Sequence, residues 1–262
     1  MSRLITLTSD FGLKDYYVSA MKGVMLQIVA DVQLVDVSHE IPPQDVMAGA
    51  WVTMNSAMLY PDDTVHLVVV DPGVGTRRRP VAVKIENQFF VGPDNGLFSL
   101  VAGDSDYQAV ELDNKSYWRN TVSQTFHGRD IFAPAAAHLA NGVPLEKLGS
   151  EVKELETYRW AQPVADKDGL QGWVIHIDRF GNLVTNLSEE LIQDTVGEQE
   201  IKIYAGNTIL NQMVDTFGSV EEGEPAAYIG SAGMLEIGVN KGDAETLLGI
   251  QKGSSISIVL QN

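Results

Sequence analysis

Apolar residues recur along the first two-thirds of the chain with two alternating periods. Leu4–Thr8, Gln33–Val37, Val65–Val70 and Val81–Ile85 are short, rich in β-branched residues and closed by polar, Gly or Pro residues, which is the pattern of strands. Between the first two, Val18, Met21, Met25, Ile28 and Val29 fall at helical spacing within Tyr16–Ala30. Val46–Leu59 behaves likewise, after the extended Ile41-Pro42-Pro43. This βαβ order predicts a mostly parallel sheet covered by helices. A further helix is expected over Ile131–Ala140, with Asp130 as its N-cap and Gly142 just past its end.

After about residue 162 the texture changes. Trp173–Ile177, Leu183–Asn186, Glu200–Tyr204, Ala226–Ile229, Met234–Val239 and Ser255–Leu260 read as strands, several separated by Gly- or Asn-containing turns, with no long helical pattern between them. A small β-barrel or sandwich follows. The expectation is therefore an α/β fold in two domains: an N-terminal α/β domain over 1–165 and an all-β, barrel-like domain over 166–262.

Composition narrows the chemistry. The 262 residues are 44% hydrophobic, enough to bury sizeable cores, and 18 Lys plus Arg stand against 35 Asp plus Glu, a formal charge of −17. Phosphate contacts come from Lys and Arg, so nucleic acid is not an expected partner. Without cysteine there is no thiolate nucleophile and no Cys-based metal site. The N-terminal Arg3-Leu4-Ile5-Thr6-Leu7-Thr8 lacks a secretory h-region, and no apolar stretch of ~18 residues follows. The expectation is a cytoplasmic protein with no membrane partner. Phosphate-loop, dinucleotide-fingerprint, nucleophile-elbow and His-Glu-x-x-His motifs are missing, and no metal site is expected.

What remains is a set of polar clusters at predicted strand ends, where open α/β sheets bind ligands. Asp10 in Ser9-Asp10-Phe11-Gly12 is placed either to accept a ribose diol or to cap a turn. Val68-Val69-Val70 delivers Asp71 into Pro72-Gly73-Val74-Gly75-Thr76-Arg77-Arg78-Arg79, where either one arginine pairs with Asp71 and holds it ionised or the run is a solvated basic turn, with at least one of the three expected to be solvated. Gly92-Pro93-Asp94-Asn95-Gly96 reads as a tight turn. His127, in Phe126-His127-Gly128-Arg129-Asp130, is a proton acceptor, a partner of Asp71 or a structural histidine at a helix start. In the second domain Asp178 precedes Arg179-Phe180-Gly181-Asn182 and either binds an ammonium group or closes a β-turn. Gly230-Ser231-Ala232-Gly233 reads as a hairpin turn whose N–H groups can receive a carboxylate, and Phe217 stands in a Gly/Glu-rich loop.

In this order the strings resemble the S-adenosyl-L-methionine (SAM) hydrolases that form adenosine, also called SAM hydroxide adenosyltransferases, relatives of fluorinase and chlorinase. The resemblance rests on Ser9-Asp10-Phe11-Gly12, Asp71-Pro72-Gly73-Val74-Gly75 with Arg78, Gly92-Pro93-Asp94-Asn95-Gly96, Phe126-His127-Gly128-Arg129-Asp130, Phe180-Gly181-Asn182 and Ser231 with Leu235-Glu236. It implies hydrolysis of SAM to adenosine and L-methionine by water attack on C5′, with no cofactor or metal. It also implies a homotrimer with sites between subunits. By it Asp71, Arg78 and His127 form a water-positioning triad and Asp10 holds the ribose hydroxyls. Asp178 and Asn182 lie near the methionine or sugar end, Ser231 on the carboxylate, Glu236 and the Val239 backbone on the adenine side, and Phe217 over the ring. Arg77 and Arg79 are alternatives to Arg78. Two rival readings stay open: halide transfer to SAM, against which a carboxylate at the halide site argues, and non-catalytic binding of SAM or adenosine.

Overall fold

The computed structural model describes residues 3–158 and 162–261. The chain divides into two compact units, Met1–Tyr158 and Arg159–Asn262.

The first unit holds seven strands, β1 (Leu4–Ser9), β2 (Gln33–Ser38), β3 (Val65–Val69), β4 (Pro80–Ile85), β5 (Gln88–Pro93), β6 (Tyr107–Glu111) and β7 (Glu151–Val152), and the helices α1 (Tyr17–Ile28), α2 (Val46–Ala57), α3 (Leu97–Ala102) and α4 (Ala133–Ala140). The strand order is β2-β1-β3-β5-β4-β6-β7. β1 runs parallel to β2 and β3, and β3 parallel to β5, whereas β4 pairs antiparallel with β5 and β6, and β6 with β7. The sheet is therefore mixed, not mostly parallel. Its antiparallel half begins at the β4–β5 hairpin, which turns through Glu86 at φ 51 without the Gly or Pro that would mark it in the sequence.

Every residue of β1 and β3 is buried, because both faces of the sheet are covered. On one face Ile5, Leu7 and Leu67 pack with Met21, Met25 and Phe132; on the other Val68, Val70 and Phe90 pack with Ala50, Leu97 and Phe98. The α4 start differs from expectation. A π-helical turn over Gly128–Phe132 precedes it, and Asp130 lies inside that turn instead of capping the helix. Its fully buried carboxylate accepts from Arg119 at 2.9 Å, from Arg129 at 2.7 Å and from the Ser123 N–H at 2.8 Å.

The second unit is built on antiparallel strands: β8 (Val164–Asp166), β9 (Gly169–Ile177), β10 (Leu183–Ser188), β11 (Ile201–Ala205), β12 (Thr208–Leu210), β13 (Pro225–Ile229), β14 (Met234–Val239) and β15 (Ser255–Leu260). Their order is β12-β11-β15-β9-β10-β14-β13, with β8 on β9. The sheet nearly closes on itself, since β12 lies against β13 and the Val214 N–H donates to the Ala227 carbonyl at 2.8 Å. Alternate residues such as Ile203, Leu235, Ile237, Ile256 and Ile258 fill its interior. Helix α5 (Glu189–Val196), capped by Ser188, adds Ile192 and Val196 to that core, and α6 (Ala244–Leu248) follows β14. Among the described residues no helix is long and apolar enough to cross a membrane.

Candidate active site

Asp71 leaves the buried end of β3, and the turn that follows returns Arg78 to it. The Arg78 Nε lies 3.0 Å from both carboxylate oxygens of Asp71, and its Nη2 also donates to Oδ2. The same Nη2 lies 3.0 Å from Nδ1 of His127. Arg78 and Asp71 are buried to side-chain exposures of 9% and 6%, and the guanidinium carbon stands 5.0 Å from the centroid of Phe132. Gly75 makes the turn possible. It adopts φ 76, and a Cβ there would fall 2.7 Å from the Gln124 carbonyl oxygen.

The three arginines separate cleanly. Arg77 is exposed, while Arg79 pairs with Asp94 and donates to the Glu154 carbonyl. Only Arg78 bonds both Asp71 and His127. The guanidinium stands between the other two, so His127 is a partner of Arg78 and not of Asp71 as the sequence had left open.

A guanidinium only donates, so Nδ1 of His127 is the acceptor and its hydrogen sits on Nε2. Burial and the neighbouring Arg78 charge push the His127 pKa down, with Asp71 and Asp130 opposing. The imidazole is therefore held neutral. Asp10, at the end of β1, accepts from the Gln44 N–H at 2.8 Å. Burial raises its pKa, and the Asp71 charge adds to that. Behind it, buried Ser9 and His39 share a 2.7 Å hydrogen bond that fixes the strand end.

The second unit contains a pocket of about 490 Å³ that brings together all six residues of that unit singled out from the sequence: Asp178, Asn182, Phe217, Ser231, Glu236 and Val239. Its size suits a small organic ligand. Asp178 closes the turn after β9, accepting from the Phe180 and Asn182 N–H groups at 2.8 and 2.9 Å and from the Asn182 amide at 2.9 Å. Ser231 is exposed in the β13–β14 hairpin turn, where Gly233 N–H donates to the Gly230 carbonyl. Burial raises the pKa of Glu236, and its hydrogen bond with Tyr228 works against that shift. Phe217 is half-exposed and meets Tyr228 edge-on at 6.0 Å.

The same wall carries Asp215, Tyr228 and Lys241, which sequence reasoning missed, and Phe180, 75% exposed, which stood in the Phe180-Gly181-Asn182 string without a role of its own. A surface Phe in a turn gives no signal by itself, and Tyr228 reads as an ordinary strand residue. Among the described residues no group of three His, Asp or Glu side chains is arranged to hold a metal.

Comparison with known proteins decides the family. The profile of the SAM hydroxide adenosyltransferase N-terminal domain matches residues 5–149, and that of the C-terminal domain matches residues 172–257. The chain belongs to the SAM hydroxide adenosyltransferase family. It is 40% identical, over 98% of its length and all of the relative's, to an (R)-S-adenosyl-L-methionine hydrolase of Thermus thermophilus. A fluorinase of Actinopolyspora mzabensis is more distant, at 28% over 97% of this chain and 96% of its own. An uncharacterized conserved protein from Thermotoga maritima has the same fold, with a TM-score of 0.91 and 36% identity over 97% of this chain and 99% of that one. Membership of the SAM hydroxide adenosyltransferases was the expectation from the six motifs.

Proposed function

We propose that the protein hydrolyses (R)-S-adenosyl-L-methionine to adenosine and L-methionine by attack of water on C5′. The observation that carries this reading is the Asp71, Arg78 and His127 cluster, with a buried arginine bonded on both sides. The name of the 40% identical relative supports the substrate and its sulfonium configuration.

The substrate is cationic overall, and its C5′–S⁺ bond already carries a neutral thioether leaving group. The acidic chain attracts it. Arg78, oriented by Asp71, stabilises hydroxide character on the attacking oxygen, and the Nε2 hydrogen of His127 donates to the same oxygen. As the O–C5′ bond forms, the C5′–S electron pair returns to sulfur and the water proton leaves to solvent. Reactants and products balance, one positive charge passing from sulfonium to proton. Asp10 holds the ribose diol. In the second unit Asp178 and Asn182 serve the methionine or sugar end, Ser231 the carboxylate, and Glu236, the Val239 backbone and Phe217 the adenine, with Phe180 as a second flat surface. Homotrimer assembly, with sites between subunits, belongs to the same reading.

Incubation of the purified protein with SAM in ¹⁸O-water tests it. Adenosine labelled at the 5′-oxygen, with equimolar methionine, is the expected result; a 5′-chloro product under added chloride, or tight binding without either product, would overturn it. Sedimentation velocity tests the assembly, which a persistent monomer would refute.

A further inference from the structure

The Asp71–Arg78 turn is gripped at both flanks by two adjacent residues that the reaction does not use. Asn95 Nδ2 donates at 2.8 Å to the carbonyl of Val70, the residue before Asp71. The Asp94 N–H donates at 2.9 Å to the carbonyl of Arg79, the residue after Arg78. The side chains add a second link, because Arg79 Nε donates to Asp94 Oδ2 at 2.9 Å. Asp94 is itself fixed. Its side chain is 2% exposed, and its other oxygen accepts from the Glu156 N–H at 2.9 Å.

Within the turn, by contrast, the backbone bonds are few, and that from the Val74 N–H to the Asp71 carbonyl is long, at 3.4 Å. Three consecutive arginines also offer three candidates for one carboxylate. A slip of one residue would bring Arg79 or Arg77 to Asp71. Asp94 removes Arg79 from that competition by giving it a buried carboxylate of its own.

We propose that Asp94 and Asn95 are positioning residues that set the register of the Asp71–Arg78 pair, and through it the orientation of Arg78 toward His127. The inference rests on the water-positioning reading of those three residues. The segment is not merely a tight turn between β5 and α3; it is the frame of the reactive loop.

The test is steady-state SAM hydrolysis by Asn95→Ala, Asp94→Asn and Arg79→Lys variants, each checked for a cooperative thermal transition. Misplacement of a catalytic group by about 1 Å costs on the order of 100-fold, so kcat is expected to fall by about 10- to 100-fold in Asn95→Ala and Asp94→Asn with KM unchanged. Arg79→Lys, which keeps the charge for Asp94, should retain most of the turnover. In an Asp71→Ala background Asn95→Ala should cause no further loss, because both act on one arrangement. Wild-type kcat in either folded variant, a change confined to KM, full multiplication of losses in the double variant, or loss of the thermal transition in both variants would each overturn the inference. Wild-type turnover by Asp71→Ala alone would instead overturn the water-positioning reading.

Discussion

Nη2 of Arg78 donates to Nδ1 of His127 across 3.0 Å. The imidazole thereby loses the nitrogen through which it could take a proton on that side, and keeps a donor on the other. A residue that works as a donor and spacer can be replaced in part by an amide, which also offers one acceptor and a donor. His127→Gln is expected to retain clearly more turnover than His127→Ala, for which a loss of about 100-fold is expected. Equal losses in the two variants, measured under saturating SAM, would identify the imidazole as a base.

Arg78 and Arg77 are neighbours with opposite environments. Arg78→Lys loses the forked contact with Asp71, and kcat should drop by about 100- to 1,000-fold. Arg77→Ala lies at an exposed turn position, and its stability should change by no more than about 0.5 kcal/mol with turnover intact. Reversed sensitivities would move the catalytic role by one residue.

Phe217 offers a half-exposed ring on the second-unit pocket. Base-on-aromatic stacking is worth about 1–3 kcal/mol, so Phe217→Ala should weaken adenosine binding by roughly tenfold or more. Calorimetric titration measures this directly, and an unchanged Kd would detach the ring from the ligand.

His66 couples the fold to pH. It lies buried, with Nδ1 at 2.7 Å from Thr6 Oγ1 and Nε2 at 3.3 Å from Gln88 Oε1, and burial lowers its pKa to about 4. An unfolded histidine takes up its proton near pH 6.5. As pH falls from about 6.5 to 4 the unfolded chain binds a proton that the folded one refuses, and stability declines, by about 3 kcal/mol for a shift of this size. Urea unfolding across that window should show the decline in the wild type and a shallower one in His66→Gln. Identical slopes would clear His66 of responsibility.

The parts of the fold that the sequence revealed are those where burial imposes a period. The strands at 4–8 and 65–70 stand out because both faces of their sheet are covered, and the second-unit strands because one side fills a core. That at 33–37 lies at the sheet edge with no residue fully buried and stands out by its alternating Val35 and Val37. In the antiparallel half of the first sheet Val81–Ile85 stood out as a strand but its direction did not, since the Glu86-Asn87 turn carries no Gly or Pro, and β6 and β7 are too short to show a period. The π-helical turn at 128–132 was hidden for another reason. Asp130 is a good N-cap by type, and only its two arginines and the Ser123 N–H, all from residues seven or more positions upstream or next door, draw it inward. Motif order located the residues now found around Arg78 and around the pocket; it could not supply Tyr228 or a role for Phe180, whose part depends on which wall they face.

The floor of the pocket has a consequence for how this surface can vary. Glu236 folds across the hairpin onto Gly230, where a built Cβ would stand 1.9 Å from its Oε1. Position 230 is then not free to change alone. A side chain there becomes tolerable only once the one at 236 has shortened or swung away, whereas 236 can shorten while 230 stays Gly. Relatives that carry a side chain at 230 should therefore also differ at 236.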